Sequence, residues 1–210
     1  ALHGRGGEDG HVQAALELKG LPYTGTRVLG CSLSMDKSRA KLALLGAGVR
    51  TPPFKLIDEN TDGDHIIEEL GLPLMIKPAR EGSSLGARKI KTAIEFDAAF
   101  RNARQFDNRV LAERWIEGCD YTLAIVENSA FPLIKIETPH DIYDYEAKYL
   151  ADTTQYICPC GLAADEERRA VELGLNVFNV LDGYGWGRVD MDEASLCVVR
   201  DEKWKYTHLG

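Results

Sequence analysis

Short apolar stretches separated by polar turns fill the chain, and two kinds of hydrophobic pattern alternate along it. Some stretches repeat apolar residues every three or four positions, as amphipathic helices do, whereas others are short and continuous, as buried strands are. Helices are predicted over residues 12–18, from 36 or 37 to 45, and over residues 66–70, 93–103 and 165–181. Strands are predicted over residues 72–78, 109–115, 121–126, 131–136 and from 185 onward. This interleaving predicts an α/β or α+β fold with mixed sheets.

Glycine and proline residues set the predicted turns. Lys19-Gly20 closes the first helix, and Thr51-Pro52-Pro53-Phe54 forbids helix and leads into a strand. Strands 121–126 and 131–136 are expected to pair as a hairpin across Glu127-Asn128-Ser129. The opening Ala1-Leu2-His3 is interpreted as the end of a buried strand.

Composition narrows the class of protein. The chain has 210 residues, 44% of them hydrophobic, and a net charge of -8, which together indicate a soluble globular protein. This net negative charge argues against a protein that binds duplex nucleic acid, but it allows a local basic pocket for a small polyanion. No apolar run approaches the roughly 18–20 residues of a membrane helix, so we expect no membrane partner. The five cysteines lack framework spacing, which favours reduced thiols and a cytoplasmic location.

The stretch around Lys77 is the first candidate for chemistry. Lys77 follows an apolar strand and precedes the glycine- and serine-rich residues 80–86, whose amides and hydroxyls could face phosphate oxygens. The stretch is neither a Walker loop nor a dinucleotide fingerprint. An ordinary hairpin turn and a solvated lysine at a strand end are the alternatives.

Three further features are ambiguous when each is taken alone. Arg188 and Asp190 stand two residues apart on a predicted strand and so share a face, which suits either an anionic intermediate beside a metal ion or a structural ion pair. Residues 111–116 form a strand whose backbone could pair with a planar base edge. Residues 141–150 gather charges and tyrosines in a loop, where binding residues concentrate.

Six motifs, taken in order, resemble those of one family. They are Leu2–Gly10, Leu21–Gly25, Ser34–Lys37, Ile76–Gly86, Tyr143–Tyr149 and Gly185–Asp190. Together they resemble the D-alanine–D-alanine ligases, which are ATP-grasp carboxylate–amine ligases. The resemblance implies an ATP-grasp fold with a partial N-terminal Rossmann-like domain, and ATP with Mg²⁺ or Mn²⁺ as cofactors. It also implies ligation of two D-alanine molecules through an acyl phosphate for peptidoglycan synthesis, and a homodimer.

The resemblance also implies roles for individual residues. Lys37 and Lys77 would hold nucleotide phosphates, Glu113, Arg114 and Ile116 would flank adenine, and Asp120 would take the ribose. Ser83 and Ser84 would close over phosphate and substrate, and Lys148 and Tyr149 would reach the transferred phosphate. Arg188 would stabilise the tetrahedral oxyanion, Asp190 would bind magnesium, and His3 and Glu8 would lie beside the substrate. Glu8, Ser83, Tyr149 and Arg188 are thereby expected to be catalytic, His3 and Ser84 substrate-binding.

The family layout also predicts the organisation of the chain. Residues 1–34 would be a remnant of the N-terminal substrate domain, residues 35–112 the central lid subdomain, and residues 113–210 an incomplete C-terminal subdomain. The family's Glu-x-Asn metal segment is missing after Asp190, and no Met begins the chain, so truncation at both ends is expected. An impaired nucleotide-binding fragment and a different ATP-grasp ligase are the alternative functions.

Overall fold

The computed structural model describes residues 2, 4–49, 51–82, 84–127, 129–137 and 154–192. The chain divides into two compact units. The described residues of the first unit lie within 1–51, 117–137 and 154–210, and those of the second lie within 52–116.

Helices and strands are interleaved along both units. In chain order the elements are α1 (His11–Leu18), α2 (Val28–Met35), α3 (Lys37–Gly46), β1 (Phe54–Ile57), α4 (Gly63–Leu70), β2 (Leu74–Pro78), β3 (Arg88–Ile90), α5 (Phe96–Arg104), β4 (Val110–Arg114), β5 (Asp120–Val126), β6 (Ser129–Ala130), β7 (Ile134–Glu137), β8 (Gln155–Ile157), α6 (Ala164–Val180) and β9 (Trp186–Asp192). A single 3₁₀ turn, Ala93–Glu95, precedes α5. None of the helices in the described ranges is long and apolar enough to span a membrane.

The second unit is an antiparallel sheet with helices on one face. Its strands follow the order β1-β4-β2-β3 in the described residues. Alternate side chains of the sheet pack with α4 and α5 into a buried core, whose members from the strands are Ile57, Leu74, Ile76, Ile90, Val110 and Ala112. Because side chains alternate along a strand, the opposite face carries Met75, Lys77, Leu111 and Glu113, all of them buried.

The first unit contains a separate antiparallel sheet. β9 pairs with one edge of β5 along its whole length, while β7 and then β6 pair with the other edge, and β8 pairs with β7. Helix α6 contributes Ala170, Val177 and Phe178 to a core that also contains Leu123 and Val189 of the sheet. These pairings among the described residues are antiparallel, so the architecture is the α+β form of the predicted class.

Helix α3 illustrates why the longer elements were predictable. Asp36 precedes the helix in extended conformation, and its Oδ1 accepts hydrogen bonds from the Arg39 amide at 3.1 Å and the Ser38 hydroxyl at 2.6 Å. Such a carboxylate cap satisfies an amide that has no partner within the helix. The predicted start at Asp36 or Lys37 is therefore confirmed.

The structure corrects the sequence-based elements at several points. Leu2 is 62% exposed and belongs to no strand, so the expected buried strand at the start is wrong for this residue. Residues 28–33 are short and apolar, and no element is predicted for them, but Val28–Met35 forms helix α2. Ser129 pairs with Val126 as part of β6, although it was expected in the turn. The short strands β3 and β8 were not predicted, because three residues are too few to show an alternating pattern.

Candidate functional site

Lys77 and Glu113 form a buried ion pair on the face of the second unit's sheet that is opposite its helices. The two residues lie diagonally across adjacent strands, since Lys77 is opposite Leu111 and Glu113 is opposite Met75. The Lys77 Nζ lies 2.5 Å from Glu113 Oε2, and the side chains are only 8% and 2% exposed. A charge buried to this extent needs a partner, so each side chain holds the other in place. The lysine predicted to contact phosphates is therefore a fixed cation, not a solvated one.

The glycine- and serine-rich loop begins directly after β2. It joins β2 to β3, which are antiparallel neighbours, so it is the hairpin connection that the alternative interpretation expected. The loop nevertheless has an unusual backbone, because Ser84 and Gly86 have φ angles of 57° and 71°. Turns within it are closed by hydrogen bonds from the Leu85 amide to the Gly82 carbonyl and from the Ala87 amide to the Ser84 carbonyl.

The two ends of this loop are held by the turn between α5 and β4 and by the last part of α5. At the start, Arg80 Nε and Nη2 lie 3.1 and 2.6 Å from the two carboxylate oxygens of Asp107, and the Arg80 amide donates to the same carboxylate at 2.9 Å. At the end, the Gly86 carbonyl accepts a hydrogen bond from Asn102 Nδ2 at 3.2 Å. The sequence did not indicate these contacts, because Arg80 and Asp107 are 27 residues apart.

The end of β4 places three predicted nucleotide residues in different surroundings. Glu113 is buried, Ile116 is half-buried beyond the strand, and the Arg114 side chain is exposed. Arg114 Nε donates to the Leu70 carbonyl at 2.6 Å, at the end of α4, so this side chain points away from the face that carries Lys77. A nucleotide contact by Arg114 must therefore come from its main chain.

Arg188 and Asp190 meet on strand β9 of the first unit. Arg188 Nε lies 2.9 Å from Asp190 Oδ1, and Arg188 Nη2 donates to Oδ2 at 2.9 Å, which gives a two-point ion pair. Thr122, opposite Asp190 on β5, donates its hydroxyl to Oδ1 at 2.7 Å. The arginine is 48% and the aspartate 22% exposed, so both remain accessible from solvent. Thr122 was missed in the sequence because only the strand register brings it to Asp190.

The glycine loop before α1 holds Glu8 by local hydrogen bonds. Glu8 Oε2 accepts a hydrogen bond from the Gly4 amide at 2.5 Å, and the Glu8 amide donates to the Gly4 carbonyl at 2.9 Å.

A cysteine thiol lies near this loop. Burial, together with the nearby Glu8 and Asp9 carboxylates, raises the pKa of the Cys31 thiol to about 11. The Cys31 thiol, which lies in helix α2, is therefore expected to stay protonated at neutral pH.

The remaining predicted residues are only partly described. Lys37 is the half-buried first residue of α3, and Asp120 is the half-buried first residue of β5. His3, Ser83, Lys148 and Tyr149 lie outside the described residues.

Asp190 provides the test of whether the described residues fit a magnesium ion. No group of three or more His, Cys, Asp or Glu side chains suited to a metal occurs in the described part of the chain. Magnesium at nucleotide sites commonly uses one or two carboxylates and takes its other ligands from phosphates and water. A single accessible carboxylate fits an ion bound in that way, whereas the described residues offer no all-protein cage.

Comparison with known proteins places these features in one family. Residues 45–196 match the family model described as the D-ala D-ala ligase C-terminus. The D-alanine–D-alanine ligase of Alkalilimnicola ehrlichii is 52% identical over 190 residues, which cover 90% of this chain and 61% of that protein.

Two solved structures give the same result. The VanG D-Ala:D-Ser ligase of Enterococcus faecalis matches with a TM-score of 0.80 at 33% identity, covering 91% of this chain and 57% of that one. The ATP complex of D-alanine–D-alanine ligase from Bacillus anthracis matches with a TM-score of 0.81 at 26% identity, covering 100% of this chain and 65% of that one. The chain thus spans about three fifths of the length of these relatives. Because the family model covers most of the chain, this protein belongs to the D-alanine–D-alanine ligase family.

Proposed function

We propose that this chain carries nucleotide- and substrate-binding parts of an ATP-dependent ligase that joins two D-alanine molecules for peptidoglycan synthesis. In the first step, a carboxylate oxygen of one D-alanine attacks the γ-phosphorus of ATP, and ADP leaves. In the second step, the amine of another D-alanine attacks the acyl phosphate carbon, and the tetrahedral intermediate expels phosphate. The ion pair between Lys77 and Glu113 is the observation that carries the nucleotide part of this proposal.

The nucleotide roles fit the surroundings of the described residues. Lys77 presents a cation that Glu113 fixes in place, and phosphoryl transfer depends mainly on positioning and charge neutralisation. Glu113 and Ile116, with the main chain of Arg114, would flank the adenine, and Asp120 would bind the ribose. Lys37, at the start of α3, and Lys148 would contact phosphates.

Arg188 would stabilise the oxyanion of the tetrahedral intermediate. Its guanidinium is already oriented by the two-point contact with Asp190, and a preorganised donor needs little rearrangement as charge develops. Asp190 would hold magnesium together with phosphate oxygens, and the ion would supply charge neutralisation for the transferring phosphoryl group. Thr122 would orient Asp190 through its hydroxyl.

The other assignments extend the proposal beyond the described geometry. Glu8 and His3 would contact substrate beside the first glycine loop, and Ser83, Ser84 and Tyr149 would close over substrate and phosphate. A covering loop would exclude water, which otherwise hydrolyses an acyl phosphate. We also propose the division into residues 1–34, 35–112 and 113–210, a homodimer and a cytoplasmic location.

Product analysis tests the proposed reaction. The chain is incubated with ATP, D-alanine and magnesium, and phosphate release is measured alongside D-alanyl-D-alanine by mass spectrometry. We expect dipeptide from the unaltered chain and at least about a hundredfold less from Arg188→Ala, the scale of losing one oxyanion donor. The exposed Glu69, which pairs with Lys55 in the second unit, offers Glu69→Gln as the matched control. Normal dipeptide formation by Arg188→Ala would contradict the site.

Two other functions are distinguished by the same reaction. The match to a D-Ala:D-Ser ligase supports a second acceptor, which competition among D-alanine, D-serine and D-lactate would reveal. A fragment that binds nucleotide without catalysis would bind ATP, lose that binding in Lys77→Ala and form no dipeptide.

A further inference from the structure

The buried carboxylate of Asp107 lies at the base of the glycine- and serine-rich loop, outside the set of residues assigned to nucleotide or substrate. Its side chain is only 1% exposed. It accepts hydrogen bonds from the Arg80 amide, from Arg80 Nε and Nη2, and from the Arg109 amide at 3.1 Å. A carboxylate offers about four acceptor positions, so these donors use its full capacity.

The contacts of Asp107 fix the direction in which the loop leaves strand β2. The Ala79 amide donates to the Arg109 carbonyl at 2.9 Å, which continues the pairing of Pro78 with Val110 past the end of the strand. Asp107 then holds the next residue, Arg80, through both its main chain and its side chain. Arg80 also donates to Asn108 Oδ1 at 2.6 Å, so the guanidinium is fixed between two neighbouring residues.

The far end of the loop is held against the same turn by close packing. Gly86 has a φ angle of 71°, and a Cβ at this position would lie 2.5 Å from Phe106 Cδ2 and 2.9 Å from Pro78 Cγ. No side chain fits there without displacing a ring. The turn between α5 and β4 therefore contacts residues 80–86 at both ends, through Asp107 at Arg80 and through Phe106 at Gly86.

We propose that Asp107 is a positioning residue that sets the loop 80–86 beside Lys77 so that the loop can receive nucleotide phosphates. Asp107 acts through Arg80 and does not itself contact the nucleotide. This inference rests on the proposed function, because it assigns the phosphates of ATP to the loop. It predicts that loss of Asp107 weakens binding of phosphate groups and leaves recognition of the adenosine part unchanged.

Binding measurements on the full 210-residue chain test the proposal. Dissociation constants for ATP and for adenosine are measured by calorimetry in the unaltered chain, Asp107→Asn and the control Glu69→Gln. Asparagine keeps the shape but presents a donor to groups that need an acceptor, so we expect ATP to bind at least about tenfold more weakly, a change of about 1.4 kcal/mol. Adenosine is expected to bind equally well to all three proteins. Equal weakening of both ligands, or unchanged ATP binding, would overturn the positioning role.

Hydrogen exchange of the loop separates failure of this proposal from failure of the proposed function. Peptides that cover residues 80–87 are compared by mass spectrometry without nucleotide, so the result does not depend on ATP binding. Asp107→Asn is expected to raise their exchange rate at least about tenfold over Glu69→Gln, because the loop loses its anchor. Unchanged exchange would refute the role of Asp107 even if the chain does not bind ATP. Should Asp107→Asn fail to fold, Arg80→Lys, which keeps the charge but loses the planar fork, is subjected to the same measurements and criteria.

Discussion

Lys77 is the clearest case of a single residue for which the structure distinguishes between two roles that the sequence leaves open. In the sequence it is a lysine at a strand end, which is commonly solvated. In the structure its side chain is 8% exposed, and its Nζ lies 2.5 Å from Glu113 Oε2 on the adjacent strand. Burying an ammonium group is costly, and the Glu113 carboxylate offsets part of that cost, so removing one member of the pair is expected to destabilise the unit.

Substitution of Lys77 tests this description. Lys77→Met is expected to abolish ATP binding and to lower the free energy of unfolding of the second unit by about 3–5 kcal/mol, because the buried Glu113 carboxylate loses its ion-pair partner. Calorimetry measures the first effect and urea unfolding the second. The double variant Lys77→Met with Glu113→Leu is expected to regain stability without regaining ATP binding. Recovery of both properties would show that the lysine has only a structural role.

The carboxyl group of Asp107 is expected to make the stability of the chain depend on pH. Burial alone raises the pKa of this carboxyl, but hydrogen bonds from Arg80 and Arg109 outweigh burial and hold the pKa below its ordinary value of 3.8. Because the unfolded chain takes up the proton first as pH falls, the stabilisation is complete above about pH 5 and is lost as pH falls through 3.8 toward the lower folded pKa.

Urea unfolding between pH 6 and pH 3, about the range over which carboxylates titrate, checks this expectation. The free energy of unfolding of the unaltered chain is expected to fall more steeply than that of Asp107→Asn, which has no carboxyl to titrate. Glu69→Gln, which removes an exposed carboxylate, should follow the unaltered chain. Parallel curves for Asp107→Asn and the unaltered chain would contradict the assignment.

At the scale of elements, two helical glycines have opposite surroundings. Gly30 in α2 is buried, and a Cβ there would collide with the Asp182 carbonyl oxygen and the Thr26 methyl group. Gly46 at the end of α3 has open space around the same position. The absence of a side chain at Gly30 therefore allows α2 to lie close to the main chain of Asp182, whereas Gly46 in α3 makes no such close approach.

Alanine substitutions at the two positions are expected to have opposite effects. Gly30→Ala should destabilise the chain by about 1–3 kcal/mol, because main-chain atoms cannot move aside easily. Gly46→Ala should stabilise it by about 0.5 kcal/mol through better helix propensity and a less flexible unfolded chain. Thermal unfolding of the two variants measures both effects. Stabilisation by Gly30→Ala would show that α2 does not pack as described.

Elements were predictable where the pattern was long or had clear end signals. The predicted positions of α3, β2, β4, α6 and β9 are confirmed within a few residues. Helix α2 was missed because its apolar residues show no marked amphipathic pattern, and β3 because three residues are too few to show an alternating pattern. Such segments become regular through contacts with neighbouring elements, and local preference alone does not determine them.

At the scale of the whole molecule, each unit has its own core. The cluster that contains Leu123 and Phe178 belongs to the first unit, and the cluster that contains Leu74 and Ile76 belongs to the second. Because each unit has its own core, one unit can unfold while the other stays folded. A single free energy of unfolding therefore does not describe such a chain completely.

Core truncations in each unit test this separation. Leu123→Ala and Ile76→Ala each remove a fully buried side chain and should cost about 2–5 kcal/mol locally. Hydrogen exchange by mass spectrometry is expected to show faster exchange mainly in the unit that carries the substitution. Equal loss of protection in both units would show that they unfold as one.

The sequence by itself determined the family, an α/β or α+β class and the chemical type of the candidate residues, because ordered motifs and hydrophobic periodicity are local properties. Only the tertiary structure decided which residues meet. Lys77 with Glu113, Thr122 with Asp190, and Arg80 with Asp107 are joined by strand register or by a turn distant in sequence. It also turned the Arg114 side chain toward α4. These contacts depend on which strands pair and in what register, and pairing is fixed by burial over a whole sheet and not by any single motif.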